Sequence, residues 1–386
     1  MGGSLKLFTW FGIPVHLHWT FGLIFLYAMW IGFSNGLTLL DTGWLMLFFM
    51  ALFTCVLLHE YGHSLTARRY GVQTQDIILT PIGGIARLER MPEKPLQEFL
   101  VALAGPMVNV VIALLLFGLG WVLFRDERWE IFKWFMEQQL NLSNSEETVD
   151  VISESGIETT GLLFYLPILV ATNVALVVFN LIPAFPMDGG RIFRALLAMR
   201  IGRVRATKVA AIVGQVIAVL FIGIGLYYGP FTLALIGLFV FTTARTENSM
   251  VQLDARLNKH RASEIMRPLY TRLNMTDWMQ TPIDMLKTGL ERHFLVYDFN
   301  NAPVGVLEEE DILRAVKKQD TSSPVAQYMS DHIPLVALTD SLLYVYYLIR
   351  QQQYGILAVK DAQGDIIGVI DEAGLSNFLK NTSSTA

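Results

Sequence analysis

Two histidines and a glutamate stand in the run His59-Glu60-Tyr61-Gly62-His63, at the inner end of a long apolar stretch. If residues 44–63 continue as a helix, His59 and His63 are four apart and share one face. Each ring then offers a nitrogen to the same divalent ion, and zinc is the metal this spacing suits. Glu60, one position along, is placed to deprotonate a water activated at that ion. Imidazole and carboxylate groups are costly in hydrocarbon and seldom occur there without a task. The residues and their setting together point to hydrolysis inside a membrane.

A catalytic zinc ion takes three protein ligands and keeps a fourth position for water. The third ligand must come from elsewhere in the chain. Asp188 is the best placed, in Asn180-Leu-Ile-Pro-Ala-Phe-Pro-Met-Asp188-Gly-Gly-Arg191. The prolines and glycines of this segment mean broken helix, tolerated at membrane depth only where it is buried or lines a wet cavity. Asn180, beside the motif, is expected to assist catalysis by hydrogen-bonding a developing oxyanion. Asn109 is a second amide near a span end, suited to binding substrate backbone or to bonding between helices. The single cysteine, Cys55, excludes an intramolecular disulfide and a cysteine zinc ribbon, and reads as a small buried thiol.

The elements that must position these groups follow from composition. Of 386 residues, 53% are apolar and only 16% charged, against about 25% charged in a soluble protein. The deficit lies in the first 245 residues, so a membrane domain over 1–250 and a soluble one over 251–386 are expected. The net charge of −5, with no basic stripe in the soluble part, excludes a nucleic-acid role.

Apolar runs near the roughly 20 residues that a bilayer crossing needs fall at 17–35, 43–65, 97–124, 160–182, 206–228 and 230–247. The last two are divided by a tight turn at Tyr228-Gly229-Pro230. Only Lys6 precedes the first run, with no small-residue cleavage site, so it is expected to be a retained span that begins beside His16 and His18. The stretch 191–208 holds Arg191, Arg194, Arg200, Arg203, Arg205 and Lys208 with no acidic residue. The stretch 125–159 holds nine acidic residues against three basic ones. The first therefore reads as cytoplasmic and the second as external. Both termini and the histidines then face the cytoplasm, in a multi-pass protein of the cell (inner) membrane. Residues 76–90 are too short to cross. Their β-branched residues, with breaks at Pro81, Gly83 and Gly84, predict strands bent into a hairpin-like or re-entrant segment whose edge suits an extended peptide.

His59-Glu-Tyr-Gly-His63, Ala104-Gly-Pro-Met-Val-Asn109 and Asn180-x-x-Pro-x-x-Pro-x-Asp188-Gly-Gly together resemble the site-2 protease family (peptidase family M50) of intramembrane zinc metalloproteases. The resemblance covers about residues 1–245. It implies one zinc ion per chain on His59, His63 and Asp188, with Glu60 as general base. It also implies hydrolysis of a peptide bond within or beside a substrate's transmembrane helix. The Pro81–Leu88 stretch resembles the family's membrane-associated strand, so Gly83 and Gly84 are expected to contact substrate, as is Asn109 through its amide. The implied substrate is a single-pass membrane protein, such as a membrane-tethered transcription factor, an anti-sigma factor or a signal-peptide remnant. The fold expected is a polytopic α-helical membrane protein of six transmembrane helices with a short membrane-associated β segment, followed by a soluble α/β domain.

That second domain contains a repeat. Ala262-Ser-Glu-Ile-Met-Arg-Pro is echoed by Val325-Ala-Gln-Tyr-Met-Ser-Asp, and Gly305-Val-Leu-Glu-Glu-Glu-Asp311 by Gly368-Val-Ile-Asp-Glu-Ala-Gly374. It resembles a tandem pair of CBS domains, about 257–318 and 320–380, each a β-α-β-β-α module. The resemblance implies an adenine nucleotide as ligand, with Asp311 on the ribose. The hydroxyl position near the phosphates is Glu308 in one repeat and Asp371 in the other, and carboxylates repel phosphate. A regulatory or homodimerising module is expected instead of a standard ATP site. A reading of a different class is a catalytically weak membrane receptor or scaffold that senses nucleotide through this pair.

Overall fold

The computed structural model describes residues 4–81, 83–89, 92, 94–124, 129, 132, 133, 136, 161–289 and 291–383. The acidic stretch 125–159, expected as the external loop, lies almost wholly outside the described residues. The chain divides into two compact units, Met1–Ser249 and Met250–Ala386.

The first unit opens with a hairpin of β1 (Ser4–Trp10) and β2 (Ile13–His18). Phe11 and Gly12, at its tip, have φ of 49° and 75°, the positive values that a two-residue hairpin turn requires. Helix α1 (Gly22–Ser34) follows, then α2 (Leu39–Arg68). Helix α2 starts at a reciprocal cap: the Asp41 N–H donates to Thr38 Oγ1, and the Thr38 N–H donates to the Asp41 carboxylate, both at 3.2 Å. The hairpin expected within 76–90 is β3 (Thr74–Thr80) and β4 (Gly83–Leu88). β3 pairs antiparallel with β4 and parallel with β2, giving one sheet in the order β1-β2-β3-β4. The parallel pair needs a long crossover, and α1 and α2 supply it.

The inward residues of the sheet follow the two-residue period of a strand. Ile13 and Val15 on β2, with Ile77 and Leu79 on β3, pack against Phe53, Leu57 and Tyr61 of α2. Those three recur every four positions and define one face of the helix. His59 and His63 lie two positions from Leu57 and Tyr61, about 200° around the axis. Burying the first set against the sheet therefore turns the histidines the other way, toward α3 (Pro95–Leu123). Helix α3 touches α2, α4 (Leu162–Asn180) and α5 (Asp188–Ile201). Helices α6 (Arg203–Tyr228) and α7 (Phe231–Leu257) complete the set among the described residues. The turn expected at Tyr228-Gly229-Pro230 is present, with Gly229 in the left-handed conformation at φ 95°.

Helices α2, α3, α4 and α6 are long and apolar enough to cross a bilayer. They match the second to fifth spans expected. The first expected span is the shorter apolar segment Trp19–Ser34, because residues up to His18 belong to a strand. The sixth is the apolar start of α7, which runs on into charged sequence. Leu115 on α3 and Leu226 on α6 are 68% and 65% exposed, which suits surfaces that meet lipid. Residues 191–208, expected as a cytoplasmic loop, are instead α5 and the first turns of α6. Arg194 is not a loop charge. It is 1% exposed, between Glu98 of α3 and Glu247 of α7.

The second unit is two β-α-β-β-α modules. The first is β5 (Arg272–Asn274), α8 (Gln280–Thr288), β6 (Phe294–Tyr297), β7 (Pro303–Leu307) and α9 (Glu309–Lys317). The second is β8 (Leu335–Ala337), α10 (Leu342–Arg350), β9 (Ile356–Lys360), β10 (Ile366–Asp371) and α11 (Glu372–Ser383). The segments leading into the modules are exchanged. Arg267 bridges to Val369 of the second module's sheet, and Ser330 bridges to Val306 of the first. Leu257 and Ala262 accordingly sit in the core of the second module, and Val325 and Tyr328 in that of the first.

One ion pair holds the β3–β4 hairpin. The Arg87 guanidinium donates to both oxygens of Asp76 and so holds this carboxyl below the usual carboxylate range. Stabilisation from a depressed carboxyl is fully present above its unfolded pKa of about 3.9 and is lost as pH falls through the lower folded value. Thermal unfolding in detergent from pH 6 to 3 should show wild-type protein losing stability at the acid end. Asp76→Asn should start roughly 1.5–3 kcal/mol less stable and lose less on acidification. Identical acid dependence in both proteins would show that the pair does not hold the hairpin.

Candidate metal centre

His59 and His63 leave α2 toward α3, and Asp188 is the first residue of α5. Their relative exposures are 7%, 8% and 8%. The Nε2 atoms of the two histidines are 3.1 Å apart, and each is 3.2 Å from Asp188 Oδ2. These three form a buried group of metal-ligand type among the described residues.

The outer ring nitrogens say what the inner ones carry. Nδ1 of His63 lies 2.7 Å from the carbonyl oxygen of Val101. A carbonyl only accepts, so Nδ1 holds a proton, and in the neutral ring Nε2 presents a bare lone pair. Nδ1 of His59 lies 2.9 Å from Oδ1 of Asn109. With both rings neutral and protonated on the outside, two lone pairs and a carboxylate oxygen converge with no hydrogen among them. Such a cluster repels itself unless a cation sits at its centre. Zinc fits: its bonds of about 2.0–2.1 Å to N and O ligands put tetrahedral neighbours roughly 3.3–3.4 Å apart. Two histidines and a carboxylate are also a known catalytic zinc set that leaves one position open.

Gly105 of α3 makes this convergence possible. A Cβ there would lie 2.2 Å from His63 Nε2 and 2.7 Å from His59 Nε2, so any side chain would fill the ion's place. Gly105 belongs to the Ala104–Asn109 motif, for which this contact supplies the physical reason.

A cavity of about 360 Å³ opens beside the cluster and gathers most of the expected site residues. His59, Glu60 and Asn109 line it with Gly83, Gly84 and Asn180, whereas His63 and Asp188 do not. β4 ends the sheet, so one edge of its backbone is unpaired among the described residues. At Gly84 a Cβ would come within 2.7 Å of Glu60 Cγ. The strand thus lies directly against the carboxylate because this position is glycine.

Asp311 belongs to the second unit. It caps α9, accepting from the Glu308 N–H at 3.2 Å, and pairs with Arg314 at 2.8 Å. Glu308 accepts from the Gly355 N–H at 3.0 Å. Asp371 accepts from the Gly374 N–H at 2.8 Å and pairs with Arg267 at 2.9 Å. Burial pushes His293 below the ordinary imidazole range in spite of the nearby Glu308, Glu309 and Asp371.

Three features were not read from the sequence. Asn173 of α4 is wholly buried beside Asn109. The Val101 carbonyl, a backbone atom, leaves no sequence signal. Arg194, six positions beyond Asp188, donates through Nε to Glu98 at 2.8 Å and pairs also with Glu247. These ion pairs set the rotation of the helix that carries Asp188. The signals available were an asparagine in the middle of an apolar run and Glu98 at the start of another.

Residues 47–224 match the model of Peptidase family M50. A zinc metalloprotease of Methanocaldococcus jannaschii is 34% identical over 268 residues, covering 69% of this chain and 67% of its own length. A putative zinc metalloprotease of Synechocystis is 27% identical in an alignment covering 100% of this chain and 97% of its own. The solved site-2 protease from Methanocaldococcus jannaschii is 33% identical, covering 64% of this chain and 95% of that one with a TM-score of 0.42. The chain belongs to peptidase family M50, the site-2 protease family of zinc metalloproteases.

Proposed function

We propose that this chain hydrolyses a peptide bond within or beside the transmembrane helix of a single-pass membrane protein. Candidates are a membrane-tethered transcription factor, an anti-sigma factor or a signal-peptide remnant. One observation carries the reading: His59, His63 and Asp188 converge at 3.1–3.2 Å beside a cavity that also holds Glu60 and the edge strand β4.

When bound by His59, His63 and Asp188, zinc supplies Lewis acidity, which brings the pKa of water towards ~7 and polarises the scissile carbonyl. Glu60 accepts the proton from the attacking water and returns it to the leaving amine. Asn180, on the cavity wall, donates to the oxyanion as it develops. Asn109 is assigned to His59 in place of the substrate, because both ends of its amide are engaged. A helical substrate keeps its carbonyls bonded within itself. It must unwind to react, and pairing along Gly83–Leu88 replaces the hydrogen bonds it gives up. The basic residues Arg191, Arg200, Arg203, Arg205 and Lys208, on α5 and the start of α6, favour a site facing the cytoplasm. The second unit acts as a regulatory or homodimerising module.

Replacing Glu60 by Gln should leave zinc bound, by metal analysis of purified protein, and lower cleavage of a membrane substrate about 10²–10⁴-fold. Unchanged cleavage would favour the receptor reading. Gly105→Ala should lose both zinc and cleavage, because the new methyl occupies the ion's position; retained zinc would contradict the assigned centre. Calorimetric titration of the full chain with ATP, ADP and AMP should give no binding heat, since Glu308 and Asp371 stand where phosphates would go. Micromolar binding would make the second unit a nucleotide sensor.

A further inference from the structure

His63 and His59 are oriented by different means. The Val101 carbonyl that faces His63 is fixed in the backbone of α3 and can only accept. The group that faces His59 is the side-chain amide of Asn109, which has an acceptor at one end and a donor at the other. Turned by 180°, it would offer N–H to Nδ1, and the proton of His59 would then reside on Nε2, where no metal can bind.

Asn173 prevents that turn. Its side chain is 0% exposed, on α4. Its Nδ2 donates to the Leu169 carbonyl at 2.8 Å and faces Cys55 Sγ at 3.5 Å. Because the Leu169 carbonyl only accepts, the nitrogen end of Asn173 must point to it and the oxygen end away. Oδ1 of Asn173 then accepts from Nδ2 of Asn109 at 3.3 Å. Asn109 is 1% exposed and is left with its oxygen toward His59 Nδ1 at 2.9 Å. Every link has a single direction, set at the far end by a backbone carbonyl. In a buried place, reversing any one of them would set acceptor against acceptor or donor against donor.

We infer that Asn173 is a positioning residue for the metal centre: through Asn109 it keeps the proton of His59 on Nδ1 and the Nε2 lone pair toward the ion. The inference rests on the zinc metalloprotease reading and adds to it a residue that touches neither metal nor substrate. The relay explains a polar residue in an otherwise apolar stretch of α4. Partners of this kind typically change metal affinity 10–100-fold.

The test is the zinc dissociation constant of full-length protein in detergent, measured by chelator competition, with helix content and elution volume as folding controls. Asn173→Leu keeps the branched side-chain skeleton, removes the constraint and should weaken zinc binding tenfold or more. Asn109→Asp in the same chain should restore affinity to within a few-fold of wild type, because a carboxylate accepts from His59 whichever way it faces. Asn109→Leu with Asn173→Leu fills the same space, offers His59 nothing and should stay weak. That comparison decides the matter even where Asn173→Leu alone does not fold. Wild-type affinity in folded Asn173→Leu, or equal affinity in the Asp/Leu and Leu/Leu pairs, would overturn the relay. Wild-type protein that binds no zinc would overturn the metalloprotease reading, and the relay with it.

Discussion

With both rings neutral, two imidazole lone pairs and a carboxylate oxygen meet at about 3 Å. Left alone, that arrangement opposes folding, and the rest of the first unit is organised to impose it. The sheet takes one face of α2 and so directs the histidines to the other. Helix α3 brings up the Val101 carbonyl and Asn109 to hold the outer ring nitrogens, and gives up a side chain at Gly105 to leave room. Arg194, clamped between Glu98 and Glu247, sets the helix that begins at Asp188. Repulsion among the ligands becomes affinity once a cation arrives, which is how a metal site stores specificity in its protein.

The same geometry explains why the hydrolytic machinery survives in an apolar environment. The outer ring nitrogens of both histidines and the amides of Asn109 and Asn173 each have a partner in the chain, so the helices carry these groups at little cost. Glu60 is the exception in kind. It points into the cavity, beside a strand whose glycine brings backbone up to it. The carboxylate thereby faces the same cavity as the open edge strand β4.

Much of this was legible before any coordinates. His59, Glu60 and His63 announce themselves by spacing, because a helix has only one way to bring positions four apart together. Asp188 follows from its broken-helix context at matching depth. The β3–β4 hairpin follows from its β-branched residues and breaks. What escaped reading depends on partners distant in sequence. Arg194 looks like a loop charge until Glu98, 96 positions away, is beside it. Asn173 meets Asn109 across 64 positions. The β1–β2 hairpin lies almost wholly ahead of the apolar run 17–35, where the sequence reading places no element, although Phe11-Gly12 marks its turn.

The exchanged leaders of the second unit bear on how the protein is made. Leu257 and Ala262 bury themselves against Val345, Leu357 and Leu375, which leave the ribosome much later. The main core cluster of the first module takes Val325 and Tyr328 from just beyond it and can form while synthesis continues. The tail of α7 must wait. Its apolar side stays uncovered until the second module has been made, so the contacts of this segment form late.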